Sequence, residues 1–341
     1  MSQTPMPSAI DDRDLESMID GYQTTALLCA TVRLRLADLL AEQPATAQDL
    51  ARVLDTDRPR LLRLLKALIA LGICTEEASG KFGLTTRGHR LTAESGSGLR
   101  ERVLLAVEQF ADPWFSLDIG TACATTAFEQ VHRCSPWEYR KRNPATGELF
   151  DRWLTYETRS HAQHLAPDLP LEGDEHVVDV GGGSGALLAA LRTAAPALRA
   201  TLFEQPHVIQ ALGEGYCQGD SLTPFDCMAG DFFTAIPVRA DVYILKSILH
   251  DWDDAHVRKI LEACRNAMPA EARLLLIERM LPDSPQEDPA VHLLDMHMMI
   301  VTGGEERSLS AYTELLRSSG FQVTATQRTA TPFTLFEARP R

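Results

Sequence analysis

The chain has 341 residues, a formal charge of −14 at pH 7 and 45% hydrophobic residues. That length predicts two or three domains, and the composition allows each a buried core. The acidic balance argues against binding a nucleic-acid backbone, which needs clustered cations.

Seven cysteines (Cys29, Cys74, Cys123, Cys134, Cys217, Cys227 and Cys264) are odd in number and form no CxxC pair. Neither a disulfide framework nor a thiolate zinc site is expected, and a reducing compartment suits them. The N-terminus lacks the basic end and apolar stretch of a signal peptide. No run approaches the ~20 apolar residues of a membrane helix. The expectation is a soluble, cytoplasmic protein.

Residues 1–12 are polar and read as loose. From Asp14 to Ala41 apolar residues recur at helical spacing, with Gly21 and Thr24-Thr25 as points of interruption, and Pro44 ends the pattern. Thr46 to Leu54 reads as a short helix capped by Thr46, with Asp49 three residues on. Pro59 to Leu71 forms a third helix that stops at Gly72, and ICTEE and KFGLT make a small hairpin. Helix, helix and hairpin in that order resemble a winged helix. Arg58, Arg60, Arg63 and Lys66 on the third helix raise DNA reading as a possibility. A solvated face on a packing or dimer-forming domain fits the acidic chain better.

Residues 100–165 read as helices broken by Pro113, Pro136 and Pro144 and rich in aromatic rings. After Pro170 the pattern alternates β-branched strands (176–180, 200–204, 226–230, 241–246, 273–278) with helices (185–195, 207–213, 254–268, 310–318). That alternation predicts a parallel sheet with helices on both faces. The closely joined FQVTAT and FTLFEA predict an antiparallel hairpin at or near one edge.

Val177-Val178-Asp179-Val180-Gly181-Gly182-Gly183-Ser184-Gly185 carries a buried strand into a glycine turn that opens a helix. Without Cβ atoms there, a ligand approaches the peptide groups directly. Glu204 ends the next strand, where a carboxylate accepts ribose hydroxyls. Gly181, Gly183 and Ala186 also satisfy G-x-G-x-x-A, so a dinucleotide is the competing ligand. Asp179 favours a positively charged methionyl group over a pyrophosphate. Gly230-Asp231-Phe232 puts a second carboxylate and a ring where adenine is expected.

DVGGGSG, LFEQP, GDFF, LKSILHDWDD and GGEERS, in that order and spacing, resemble the S-adenosylmethionine-dependent O-methyltransferases over nearly the whole chain. The group includes plant caffeate and chalcone enzymes and bacterial relatives acting on phenazines, polyketides and mitomycin-type quinones. The resemblance implies an α/β fold: a Rossmann-like class I methyltransferase domain with a terminal antiparallel hairpin, plus a mainly α, winged-helix-like dimerisation domain. It divides the chain into 1–99 for dimerisation, 100–165 as a helical linker contributing to the acceptor pocket, and 166–341 for catalysis. Gly181 and Gly183 would hold the methionyl end, Glu204 the ribose, and Asp231 and Phe232 the adenine, with Lys246 and Trp252 nearby. His250 would be the general base, oriented by Glu278 and Glu306.

A phenol with pKa ~10 costs ~4 kcal/mol to ionise at pH 7, so a base is useful to the reaction. Asp251, Asp253 and Asp254 suggest a metal, but helix capping explains Asp253 and Asp254 more simply, and His292 and His297 lack a partner at ligand spacing. No metal is expected. Met296, His297 and Met299 on one helix, with Trp114, Phe150 and Trp153, are candidates to line the acceptor. Where the family often has Phe-Asn and a nearby Met, this chain has Phe150-Asp151 and Leu154. The expected acceptor is an aromatic hydroxyl on a multi-ring secondary metabolite, with a phenazine or polyketide phenol favoured. A homodimer is expected, with no nucleic-acid partner and no membrane contact. Relatives that hydroxylate or decarboxylate, an NAD-dependent oxidoreductase and a ligand-sensing DNA regulator are the alternatives.

Overall fold

The computed structural model describes residues 12–122, 125–212 and 225–341. Most of the polar 1–12 segment, Cys123, Cys217 and the last residue of the 207–213 helix lie outside them. The chain divides after Ala111 into two compact units.

In the first unit, the helical pattern from Asp14 to Ala41 is three helices, Asp12–Ile19, Gly21–Arg33 and Leu36–Glu42. The second break has no glycine or proline to announce it. Arg35 adopts φ 54°, a left-handed conformation rare for side-chain-bearing residues, and the turn lets both Val32 and Leu36 reach the core. Thr46 caps Ala47–Leu54 by accepting from Asp49 N at 3.2 Å, and Asp57 caps Arg58–Ala70. Strands β1 (Ala45–Thr46), β2 (Cys74–Glu76) and β3 (Lys81–Leu84) form a sheet with β3 central. Leu36, Leu50, Leu61, Leu65, Leu68 and Phe82 fill the core beneath it.

The second unit is built on a seven-stranded sheet of β4 (His176–Val180), β5 (Arg199–Glu204), β6 (Asp226–Ala229), β7 (Val242–Lys246), β8 (Arg273–Glu278), β9 (Phe321–Arg328) and β10 (Thr334–Pro340). Its order is β6-β5-β4-β7-β8-β10-β9. The five strands from β6 to β8 are parallel, while β10 pairs antiparallel with both β8 and β9. Alternate residues face opposite layers, as period two requires. Val178, Val180, Tyr243, Leu245, Leu274 and Leu276 meet helices Asp254–Ala267 and Leu309–Ser318. Val177, Leu202, Ile244, Leu275 and Ile277 meet Ala186–Ala194 and the end of Pro144–Leu165. The chain order reverses between β4 and β7, so a crevice opens beyond their carboxyl ends.

No described helix is long and apolar enough to cross a membrane. Cys29, Cys74, Cys134 and Cys264 are free thiols. Cys227, on β6, is disulfide-bonded.

Candidate active site

The turn after β4 is built from glycines that cannot be replaced without collision or strain. Gly181, Gly183 and Gly185 take φ of 75°, 60° and 70°. A Cβ on Gly181 would lie 2.6 Å from Ile248 Cδ1, and one on Gly185 would enter the Phe225 ring. The Cβ position of Gly183 faces open space, so its left-handed backbone rather than crowding selects glycine. Glu204 fastens the turn: its Oε2 accepts from Gly183 N at 3.1 Å and its Oε1 from Gln205 N at 2.6 Å. Each oxygen keeps a lone pair for a further donor.

Asp179 is 2% exposed, and its Oδ1 has no hydrogen-bond partner. Burial pushes its pKa up to about 7, against the opposing pull of Lys246. An orphaned buried carboxylate is costly and is explained by a cation or donor that completes it. Lys246 itself lies 4.5 Å above the Phe333 ring, with Arg279 over the same ring at 5.1 Å. Asp231 is exposed and accepts from Phe233 N, while a Cβ on Gly230 would enter the Phe203 ring. Phe232 and Phe233 meet edge to face at 4.8 Å, and Trp252 contacts Phe233 at 4.7 Å. Trp137 stacks on Trp252 at 4.5 Å with the planes 8° apart.

Beyond β7 the chain turns through Ser247 at φ 54° into a short 3-10 helix, Leu249–Asp251, that presents His250. Its Nδ1 lies 2.7 Å from Glu306 Oε1, and its Nε2 lies 4.0 Å from Asp251 Oδ1. Burial alone would lower the His250 pKa, but the carboxylates of Glu278, Glu306 and Asp251 outweigh it and raise it to about 10. Glu278 acts on the backbone rather than the ring. Its Oε1 accepts from Ile248 N at 3.0 Å and Leu249 N at 2.8 Å, and burial pushes its pKa up to about 7. Glu306 is held in turn by its own N–H, which donates to Asp295 at 2.8 Å.

Two parts of this constellation were missed in the sequence. Arg307, 3% exposed, donates to Leu249 O, Trp252 O and the Asp254 carboxylate, and pairs with Glu305, thereby tying the 249–251 turn to the GGEERS segment. Gly304 lies so close to the His250 carbonyl oxygen that a Cβ would overlap it. The only signal for either was their adjacency to Glu305 and Glu306. Asp253 caps helix Asp254–Ala267 by accepting from His256 N.

Among the proposed acceptor residues, Trp114 Nε1 donates to His297 Nδ1 at 3.1 Å, and Phe150 meets Trp153 edge to face at 5.5 Å. Met296 is half-buried and Met299 is 37% exposed. Among the described residues no group of three His, Cys, Asp or Glu side chains is arranged to hold a metal.

The family model for the O-methyltransferase domain matches residues 115–322, and that for the O-methyltransferase dimerisation domain matches residues 16–94. The phenazine O-methyltransferase of Lysobacter antibioticus is 33% identical over 96% of this chain and 95% of its own. The solved structure of mitomycin 7-O-methyltransferase superposes with a TM-score of 0.90 at 29% identity, covering 98% of both chains. An O-methyltransferase from neocarzinostatin biosynthesis, solved with S-adenosylmethionine and 2-hydroxy-5-methyl naphthoic acid, has a TM-score of 0.80 at 28% identity over 93% of this chain and 96% of that one. With its glycine turn, parallel sheet and His–Glu pair at the carboxyl ends, this chain belongs to the S-adenosylmethionine-dependent O-methyltransferases.

Proposed function

We propose that the chain methylates an aromatic hydroxyl of a small multi-ring secondary metabolite, with a phenazine or polyketide phenol favoured and His250 as the general base. The 2.7 Å pairing of His250 Nδ1 with Glu306, beside the β4–β7 crevice, carries this reading. It leaves Nε2 as the basic nitrogen and fixes the imidazole, as in other histidine–acid pairs.

The cofactor is S-adenosylmethionine, and the residues present fit it. Asp179 has a carboxylate oxygen unspent, Glu204 has lone pairs to spare, and the Gly183 side of the turn is open. A pyrophosphate in the same place would meet two carboxylates. We assign the methionyl end to Asp179, Gly181 and Gly183 and the ribose to Glu204. Gly230, Asp231 and Phe232 border the adenine region, with Lys246 and Trp252 beside it.

When bound, S-adenosylmethionine supplies an electrophilic methyl on a sulfonium, whose positive charge also opposes protonation of His250. The carboxylates around His250 favour its imidazolium, so the sulfonium charge is what counters them and frees Nε2 to accept the phenol proton. Glu306 holds the ring and stabilises the imidazolium that forms. Glu278 and Arg307 keep the 249–251 turn in place, and the remaining task is alignment. Trp114, Phe150, Trp153, Met296, His297 and Met299 are assigned to the acceptor, which places part of residues 100–165 in its pocket.

The dimerisation-domain match and exposed Leu15, Met18, Ile19 and Tyr22 support a homodimer formed through a winged-helix-like N-terminal unit. Action in the cytoplasm, in antibiotic-type biosynthesis, completes the reading. Thermal melts with S-adenosylhomocysteine and with NADH test the donor site. Saturation at ~100 times Kd adds about 2.7 kcal/mol, so S-adenosylhomocysteine alone should raise the midpoint. A rise with NADH alone would overturn the assignment.

A further inference from the structure

We propose that Arg140 is a specificity residue of this site, and that it selects acceptors bearing a carboxylate on the hydroxylated ring system. The inference rests on the methyltransferase reading above.

Arg140 lies on helix Pro136–Arg142, three residues from Trp137, whose indole stacks on Trp252 beside the catalytic turn. Its guanidinium lies over the Phe150 ring, with Cζ 3.4 Å from the centroid. Stacking uses the face of the guanidinium and leaves its N–H donors along the edge, where a carboxylate can dock in the same plane. Those donors are unspent: Nε is buried without a hydrogen-bond partner, and no carboxylate lies within 4.0 Å among the described residues.

Arg307 supplies the contrast. It is a buried arginine whose donors are taken up by Leu249 O, Trp252 O, Asp254 and Glu305, as a structural clamp requires. Arg140 is half-buried, with its Nε fully so, and has none of those partners.

Two acids influence Arg140 from longer range. One is Asp151, beside Phe150, and the other is Asp251, whose Oδ1 is 4.0 Å from His250 Nε2. Burial raises the pKa of both, and neither reaches the guanidinium within 4.0 Å among the described residues. An acceptor carboxylate supplies the close partner the protein withholds. Phe150, assigned above to the acceptor, puts that anchor beside the bound ring system.

The test is calorimetric titration of the S-adenosylhomocysteine-loaded protein with 1-hydroxy-2-naphthoate and with 1-naphthol. Wild type should bind the naphthoate about 10- to 100-fold more tightly, the range of a charged hydrogen-bonded pair. Arg140→Gln should abolish that preference and leave naphthol affinity within about 2-fold. With S-adenosylhomocysteine bound, a wild type that takes the naphthoate no better than naphthol overturns the role of Arg140 alone. So does an Arg140→Gln variant that keeps the preference, or one that weakens both ligands equally. Failure to bind S-adenosylhomocysteine at all overturns the underlying reading and this inference together.

Discussion

Asp179 should stabilise the cofactor complex at the expense of the empty protein, and replacing it with asparagine separates the two effects. Its pKa rises from 3.8 to about 7 on folding, because burial penalises the charged form. A raised acid binds its proton more tightly in the native state. Between those two values the native state therefore holds a proton that the unfolded chain has released. Stability falls as pH rises through this window, and the loss is complete above about 7. A shift of ~3 units at 1.36 kcal/mol each sets an upper bound of ~4 kcal/mol. The introduced amide still leaves a polar atom buried, so Asp179→Asn should recover about 1–3 kcal/mol at pH 8. For a unit of about 230 residues that is a rise of roughly 2–12 °C in melting temperature. The gain should shrink at pH 5 and vanish below about pH 4. Differential scanning fluorimetry of the cofactor-free protein across pH 4–8 reads it, and calorimetry should show S-adenosylhomocysteine binding weakened about 10-fold or more. An Asp179→Asn protein that melts below wild type at pH 8, with a difference insensitive to pH, would refute the reasoning.

Glu306→Gln removes a negative neighbour and lowers the His250 pKa. The rising limb of the pH–rate profile should move to lower pH while the plateau rate drops, and an unmoved limb would exclude Glu306 as the partner. Gly304→Ala forces the His250 carbonyl away, so kcat should fall about 100-fold, as for an ångström-scale misplacement. Calorimetry should find S-adenosylhomocysteine affinity unchanged in that variant, because the glycine turn after β4 is untouched. Arg307→Met leaves the Leu249 and Trp252 carbonyls without their donor and should cost about 2–5 kcal/mol, seen as a melting temperature lower by roughly 4–20 °C.

What the sequence disclosed and what it withheld follow from the range of the interactions. Most strands of the parallel sheet announce themselves as short apolar runs between helical patterns, and the hairpin follows from the brief link between β9 and β10. The glycine turn is equally local. The His250–Glu306 contact spans 56 residues and Glu278–Leu249 spans 29, so periodicity holds no trace of either. Family resemblance supplied those residues, but not that Glu278 grips the backbone while Glu306 grips the ring. Arg140 stands in a basic run, Arg140-Lys141-Arg142, where any member reads as solvated. Only the fold distinguishes the one lying on Phe150 from Arg142, which pairs with Glu138 at the surface. The N-terminal helix pattern hid its second break because Arg35 takes a left-handed conformation without a glycine to mark it.

Single-turnover transfer of labelled methyl from S-adenosylmethionine to a hydroxyphenazine, in wild type and His250→Ala, tests the central claim most directly. The account predicts transfer by wild type and a rate lower by about 10²–10⁴-fold in the variant, with S-adenosylhomocysteine affinity unchanged. A variant that transfers at the wild-type rate, or that loses cofactor binding and rate in equal measure, would contradict it.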